Sequence, residues 1–383
     1  MLHPVPEDDD IGEDVREQRL ALRASPLFSS VTVEEFKPAN HTYVLHGLKD
    51  PPLGGIAGMK IFITGGTGFI GRCVAERALK SGHDVRCLLR DQQKAARLPN
   101  GTRFALGDVM DAESLRQGMK DCDGVVHLAN VYSFWESDRR IYARVNIEGT
   151  RNVMESALEM RVPKVVHVSS AVVFGRPTEI PFHEQSIPRL MNATQYARTK
   201  SEGDRLCWEL HQRRGLPLVG IYPGAVIGAG RTKPSGQYIQ NLLGRKLPVT
   251  IFPRSVFTVV YVRDVAEAII RASEKEDTIG QRYLVGKEQL TLADINRMVH
   301  EVSTVSIPRI GLPAPMVMAT AAILTGIAAV IKKPPLWGLS LDMARMLQLG
   351  FQFDGSKAER DLGLRYTPVR VAFEEAITSY QSS

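Results

Sequence analysis

From Met59 onward, short apolar runs alternate with stretches whose apolar positions recur three and four residues apart. The runs at 60–64, 85–89, 103–106, 125–128, 164–168 and 218–222 read as buried strands. The intervening stretches at 69–80, 112–119, 144–160 and 197–213 read as helices. Neighbouring strands joined by helices must run parallel, because a parallel pair needs a crossover. The pattern therefore predicts an α/β fold with a doubly wound parallel sheet over residues 59–230. Beyond it the order loosens. A strand at 257–262, a helix at 264–273 and a strand at 282–285 read as the last sheet elements, followed by a helix from Leu292. The remainder of 231–383 reads as a smaller, mostly helical substrate-binding cap.

Two stretches break the alternation. Residues 310–331 carry no charge and are rich in Ala, Met, Leu and Ile, although Pro313 and Pro315 shorten the helical part. A buried cap helix is the first expectation. Contact with a membrane surface or a lipid-like substrate is the second, and a true span, which needs about 20 apolar residues, the third. Lys332 and Lys333 follow and suit either an interfacial anchor or a solvated helix end. Residues 1–58 read as an acidic, disordered extension, either a genuine leader or sequence upstream of a start at Met59. They hold ten acids against five bases, so the remaining chain carries +11 of a net +6.

Composition narrows the class. Among 383 residues, 44% are hydrophobic and 23% charged, which excludes collagen, mucin-like stalks and wholesale disorder. Four scattered cysteines, Cys73, Cys87, Cys122 and Cys207, make neither a disulfide scaffold nor a zinc ribbon and suggest a reducing compartment. The expected location is cytoplasmic, with membrane association left open. Nothing has metal-ligand spacing, so no metal is expected. The positive charge raises nucleic acid, anionic lipid or a phosphate-rich ligand as partners. The basic residues are spread along the chain and Trp135, Trp208 and Trp337 are dispersed, which argues against nucleic acid. Asp264 reads as a helix N-cap, and His127 and His167 as satisfied core histidines.

Candidate chemistry sits at three strand ends. After the first strand comes Thr64-Gly65-Gly66-Thr67-Gly68-Phe69-Ile70-Gly71, opening a helix. Gly65 permits the tight turn, Gly68 lets the backbone approach a pyrophosphate and Gly71 allows close helix–strand packing. The phosphates would sit on free N–H groups at the helix start. The second strand ends in Leu89-Arg90 where a carboxylate would favour NAD, and Arg90 with Arg97 can pair with a 2′-phosphate instead. NADP is therefore the expected cofactor, with NAD as the alternative. Tyr196 and Lys200 stand four apart on one helical face, and Ser169-Ser170 ends an earlier strand. The ammonium can lower the phenol's pKa, the phenol can trade a proton with a carbonyl or hydroxyl, and Ser170 can hold that oxygen.

Together these motifs resemble the extended short-chain dehydrogenase/reductase family. Within it the chain is similar to the NAD-dependent epimerase/dehydratase group, including dihydroflavonol-reductase-like, 3β-hydroxysteroid-dehydrogenase-like and hopanoid-associated epimerase members. The resemblance spans about Met59 to Tyr380. It implies a Rossmann fold in which Gly65, Gly68, Phe69, Ile70 and Gly71 line the pyrophosphate. Asp108 and Val109 would meet the adenine, and Leu128, Ala129 and Asn130 would pass along the cofactor. Asn146 matches the family's helix asparagine, Pro223 and Val226 would flank the nicotinamide, and Lys200 would hold its ribose.

Departures sharpen the expectation. Sugar-nucleotide 4,6-dehydratases carry an Asp-Glu pair where this chain has Ala171-Val172 after Ser170, and UDP-hexose epimerases typically carry an asparagine where it has Gly224. The resemblance implies hydride transfer between nicotinamide and a carbonyl or alcohol of a small, hydrophobic substrate, with Ser170, Tyr196 and Lys200 catalytic. The alternatives are an NAD-dependent sugar epimerase using the same three residues and a non-catalytic NADP-binding sensor. A homodimer through the helices at 144–160 and 197–213 is the family-like expectation.

Overall fold

The computed structural model describes residues 58–190, 193–230 and 235–382, so the acidic extension lies outside the described residues except for Gly58. In chain order the first elements are β1 (Lys60–Thr64), α1 (Phe69–Lys80), β2 (Asp84–Leu89), β3 (Arg103–Leu106), α2 (Ala112–Met119) and β4 (Gly124–His127). A helix, α3 (Arg140–Ala143), runs through a π-helical turn at Arg144–Gly149 into α4 (Thr150–Glu159), followed by β5 (Val165–Val168), α5 (Gln195–Arg214) and β6 (Leu218–Pro223). Next come β7 (Ala225–Ile227), α6 (Ser235–Leu243), β8 (Val256–Tyr261), α7 (Val262–Glu274), β9 (Arg282–Val285) and β10 (Glu288–Thr291). The chain closes with α8 (Leu292–Ser303), α9 (Ala314–Ile331), α10 (Leu341–Leu349), α11 (Ser356–Leu362) and α12 (Val369–Gln381).

Seven strands form the main sheet in the order β3-β2-β1-β4-β5-β6-β9. Every pairing in it is parallel, so the predicted doubly wound sheet is present, with the strand expected at 282–285 as its seventh member. Both faces of its central strands are apolar and both are covered. Val74, Ala75 and Ala78 of α1 pack with Val265, Ile269 and Ala272 of α7 against one face. Leu115 and Met119 of α2, Val153 and Ala157 of α4, and Leu206 and Leu210 of α5 cover the other. Small residues on α1 and α7 let the two helices approach, and Arg77 pairs with Glu267 across them. The run at 103–106 is not buried as expected. As β3 it is the sheet edge, with Phe104 39% and Leu106 54% exposed, because an edge strand has a neighbour on one side only.

The strand expected at 257–262 belongs to a different sheet. As β8 it pairs with β7 in parallel and with β10 antiparallel. At Gly224, between β6 and β7, a Cβ would stand 2.3 Å from the Thr258 carbonyl oxygen, so only a glycine there admits β8 so close. As expected, the stretch beyond residue 308 is mostly helical, in α9, α10, α11 and α12, and the strands of the small sheet all lie before it.

Asp264 is not the N-cap of α7. The helix begins at Val262, and the buried Asp264 carboxylate accepts from the Thr367 N–H and hydroxyl, both at 2.8 Å. It pins the segment that leads into α12. Helix α9 also departs from the first expectation. Only Val317, Ala321 and Ala328 reach the interior, because α10 covers one side of α9 and no described element covers the other.

Candidate active site

The order of the main sheet reverses between β1 and β4, and ligands of open α/β sheets bind at such a switch point. Here the chain turns sharply after Thr64. Gly65 has φ +77°, and Gly68 N–H donates to its carbonyl at 2.9 Å. A side chain at Gly65 would meet the Ala129 backbone at 2.8 Å, and one at Gly71 would stand 2.2 Å from the Gly65 carbonyl oxygen. The turn therefore admits no side chain at either position. Helix α1 opens at Phe69 with no side chain capping its N–H groups and no acid in its first turn. Its free donors and the positive end of its dipole make an anion seat.

A cleft of about 880 Å³ runs from this seat to the cap. Its volume lies within the roughly 300–1,000 Å³ typical of small-molecule and cofactor sites. It is lined by Gly65, Gly68, Phe69, Ile70, Gly71, Arg90, Asp108, Val109, Leu128, Ala129, Asn130, Ser170, Tyr196, Pro223 and Val226. Three expected residues are elsewhere. Arg97 is exposed and off the cleft, and Lys94 of the same short turn lines it instead.

Asn146 is buried, and its Oδ1 accepts from Val131 N–H at 2.7 Å while its Nδ2 donates to Thr199 Oγ1 at 3.1 Å. It ties the loop after β4 to α5 and positions the cleft wall without lining it. Lys200 also lies beneath the lining, with its ammonium donating to the Val168 carbonyl at 3.1 Å. Burial lowers its pKa to about 8, with Asp204 one turn along opposing that shift.

The buried Tyr196 phenol and Ser170 both line the cleft. Burial pushes the phenol's pKa up, the neighbouring Tyr132 adds to the rise, and Ser170 opposes it. Desolvation outweighs any lowering by Lys200, whose ammonium is engaged with the Val168 carbonyl. Tyr132 and Phe134 wall the Tyr196 ring at centroid distances of 5.1 and 5.9 Å. The loop after β4 that supplies them has no periodic pattern, and nothing in the sequence marked them.

Below the site lies a buried polar layer. His127 bonds Thr64 Oγ1 at 2.7 Å and Thr150 Oγ1 at 3.0 Å, and burial lowers it to about 3. It is the satisfied core histidine expected. His167, stacked on it at 5.6 Å, is not: its Nε2 stands 3.8 Å from Asp204 Oδ1, and neither ring nitrogen finds a hydrogen bond among the described residues. Asp204 accepts from the Tyr222 hydroxyl at 3.2 Å, which accepts from Trp208 Nε1 at 2.7 Å. No cluster of three or more metal-ligating side chains occurs among the described residues.

The uncapped helix start, the side-chain-free turn and the two cations near the β2 end fit a dinucleotide. Arg90 and Lys94 line that end, whereas Asp91 is taken up in accepting from Gln93 N–H at 2.9 Å.

Known proteins agree with this arrangement. The model of the NAD dependent epimerase/dehydratase family matches residues 61–286. A putative dihydroflavonol 4-reductase of Synechocystis sp. is 27% identical over 331 residues, covering 84% of this chain and 94% of that protein. Sterol demethylase protein B of Methylococcus capsulatus is 29% identical over 329 residues, covering 84% and 98%. The crystal structure of gox2253 superposes with a TM-score of 0.72 at 28% identity, covering 85% of this chain and 98% of that one. The chain thus belongs to the NAD dependent epimerase/dehydratase family, as an NAD(P)-dependent enzyme of the extended short-chain dehydrogenase/reductase type.

Proposed function

We propose that the protein is an NADP-dependent reductase, or in the reverse direction a dehydrogenase, acting on a carbonyl or alcohol of an apolar small molecule. One observation carries this reading. Among the described residues, the cap side of the cleft facing Ser170 and Tyr196 is lined by Tyr238, Ile239, Phe257, Leu292, Ile295, Met343, Met346, Leu347 and Phe351, with no charge among them. A sugar nucleotide would bring a diphosphate into that half and would need cations there. A hydrocarbon ring system needs none. The names of two relatives refer to a dihydroflavonol and a sterol, both uncharged ring systems without a diphosphate.

When bound, the nicotinamide supplies or takes up the hydride. The chain's own residues do the rest. In reduction, Ser170 holds the carbonyl oxygen and Tyr196 gives it a proton as negative charge develops. Burial keeps the phenol in its proton-bearing form and also makes that proton harder to give up. Lys200, one helical turn along α5 and anchored on Val168, supplies the positive charge that would favour the tyrosinate left behind. Tyr132 and Phe134 exclude water from the phenol's flank. Arg90 and Lys94 hold the 2′-phosphate, which makes NADP the cofactor in this reading.

The test is net turnover. Purified protein with NADPH and a panel of flavonoid, steroid and aryl ketones is followed by loss of nicotinamide absorbance with product analysis. Stoichiometric NADPH oxidation with alcohol formation is expected. Inversion of a substrate stereocentre with no net NADPH consumption would replace the reductase with an epimerase.

A further inference from the structure

We infer that the uncovered face of α9 is a seat for an anionic lipid bilayer. The helix is long and apolar enough to cross a membrane by length and composition. Both its ends, however, are fastened to the same part of the cap. At its start, Thr250 N–H donates to the Ile310 carbonyl at 2.8 Å and Leu312 N–H donates to the Thr250 carbonyl at 3.1 Å. Beyond its end, Asn241 Nδ2 donates to the Trp337 carbonyl at 3.2 Å. Leu341 N–H then returns to Thr325 Oγ1 at 2.7 Å. A helix tied down at both ends on one side of the molecule lies along the surface and does not span.

Its outward side chains are those of a helix lying in an interface. Met316, Ile323, Ile327, Val330 and Ile331 recur at helical spacing, and Ile323 is 63% and Val330 81% exposed. In a helix facing water this stripe would be polar. Trp337 extends it and is itself 41% exposed, an amphipathic ring suited to the headgroup level.

Charge selects the occupant. Lys332 and Lys333 end the helix, Arg309 precedes it, and Arg245 and Lys246 follow α6 between its two anchors, all five exposed. Lys246 N–H donates to the carbonyl of Asn241, the residue that holds the Trp337 turn, so this basic pair adjoins that turn. No ion pair engages any of the five among the described residues, and no Asp or Glu occurs from 302 to 341 or from 210 to 263. An apolar stripe rimmed by unpaired cations fits phosphate headgroups above acyl chains. The seat adjoins the cleft, because α10 packs on α9 and its Met343, Met346 and Leu347 line the cleft wall. A membrane-dissolved substrate would enter beside its reservoir.

The test is sedimentation of the full chain with vesicles of phosphatidylcholine alone or mixed with phosphatidylglycerol, at low and high salt. Binding to the mixed vesicles, weakened by salt, is expected. Lys332→Gln with Lys333→Gln should weaken it about thirtyfold, from roughly 1 kcal/mol per lysine near a charged surface. Ile323→Ser with Ile327→Ser should abolish it, while melting temperature and NADPH affinity stay at the parent's values. Absence of binding to either vesicle overturns the proposal. So does a concentration-dependent dimer that the Ile323/Ile327 variant dissociates without any vesicle binding by the parent, since a second copy would then cover the face. Because binding is read without catalysis, the result is independent of the reductase reading.

Discussion

The Lys200 ammonium donates to the Val168 carbonyl across 3.1 Å, tying α5 to the strand end that leads into Ser170. Both partners are buried, so the charge is held at a cost, and its pKa falls to about 8. A lysine lowered in the folded state binds fewer protons there than in the unfolded chain. The cost of its charge is therefore present in full below about pH 8 and relieved as pH rises from there toward the ordinary lysine value. Stability from this group thus rises with pH across the window in which the site loses its cation. Turnover is expected to fall as pH passes about 8, and Lys200→Arg should move that limb upward because arginine keeps its proton. Profiles of kcat/KM against pH check this. A limb at the same pH in both proteins would assign it to another group.

Tyr196→Phe removes the proton that the reaction moves and leaves the ring between Tyr132 and Phe134 in place. The expected loss in kcat is about 10²–10⁴-fold, with NADPH affinity unchanged. Ser170→Ala should also lower kcat, by about 10²-fold or more, since one donor to the developing oxyanion is lost. Stopped-flow hydride transfer with nicotinamide fluorescence for binding separates the two effects. Full activity in the phenylalanine variant would refute the assigned proton donor.

Arg90→Ala should weaken NADPH and leave NADH alone. Losing a charged hydrogen bond of about 1.5–3 kcal/mol corresponds to roughly tenfold to a hundredfold in Kd. Lys94→Ala should act in the same direction, and Arg97→Ala should do little, because Arg97 lies off the cleft. Calorimetric titration with both dinucleotides tests the assignment, and a parent that binds them equally would defeat it.

Asp264 and Thr367 join α7 to the start of α12 through two hydrogen bonds of 2.8 Å. In Asp264→Ala the Thr367 N–H and hydroxyl lose their acceptor. A cost of roughly 1–3 kcal/mol is expected from stranding such groups. Denaturant unfolding of the single variants and of the Asp264→Ala/Thr367→Val pair measures it. Additive losses in the pair would mean that the two residues do not act through each other.

Much of the Rossmann half was legible because its signals are local. The strands at Lys60–Thr64 and Arg103–Leu106 and the helices at Phe69–Lys80 and Ala112–Met119 stand at the limits that the apolar pattern predicts. Gly65, Gly68 and Gly71 fall on a turn whose geometry follows from a few consecutive residues. Lys94, four residues beyond Arg90, is close enough in the chain to have been weighed beside it. Tyr132 and Phe134 could not, since an irregular loop has no period to read. Asn146 shows the limit of a carried-over motif: its place in the helix holds, but its side chain bonds Val131 and Thr199 and does not line the cleft.

The β-α alternation, the glycine turn, the Tyr196–Lys200 face and the charge-free stretch at 310–331 are all readable in the chain. Each depends on residues within a turn or two of one another. That β8 leaves the main sheet, that Lys200 turns to Val168, and that α9 keeps one face uncovered emerge on folding. Those outcomes depend on contacts between segments far apart in the chain: the Thr258 carbonyl against Gly224, β5 against α5, Asn241 against Trp337. Helical and strand periods state which side chains share a face. They carry no information about which distant element, or which lipid, comes to cover it.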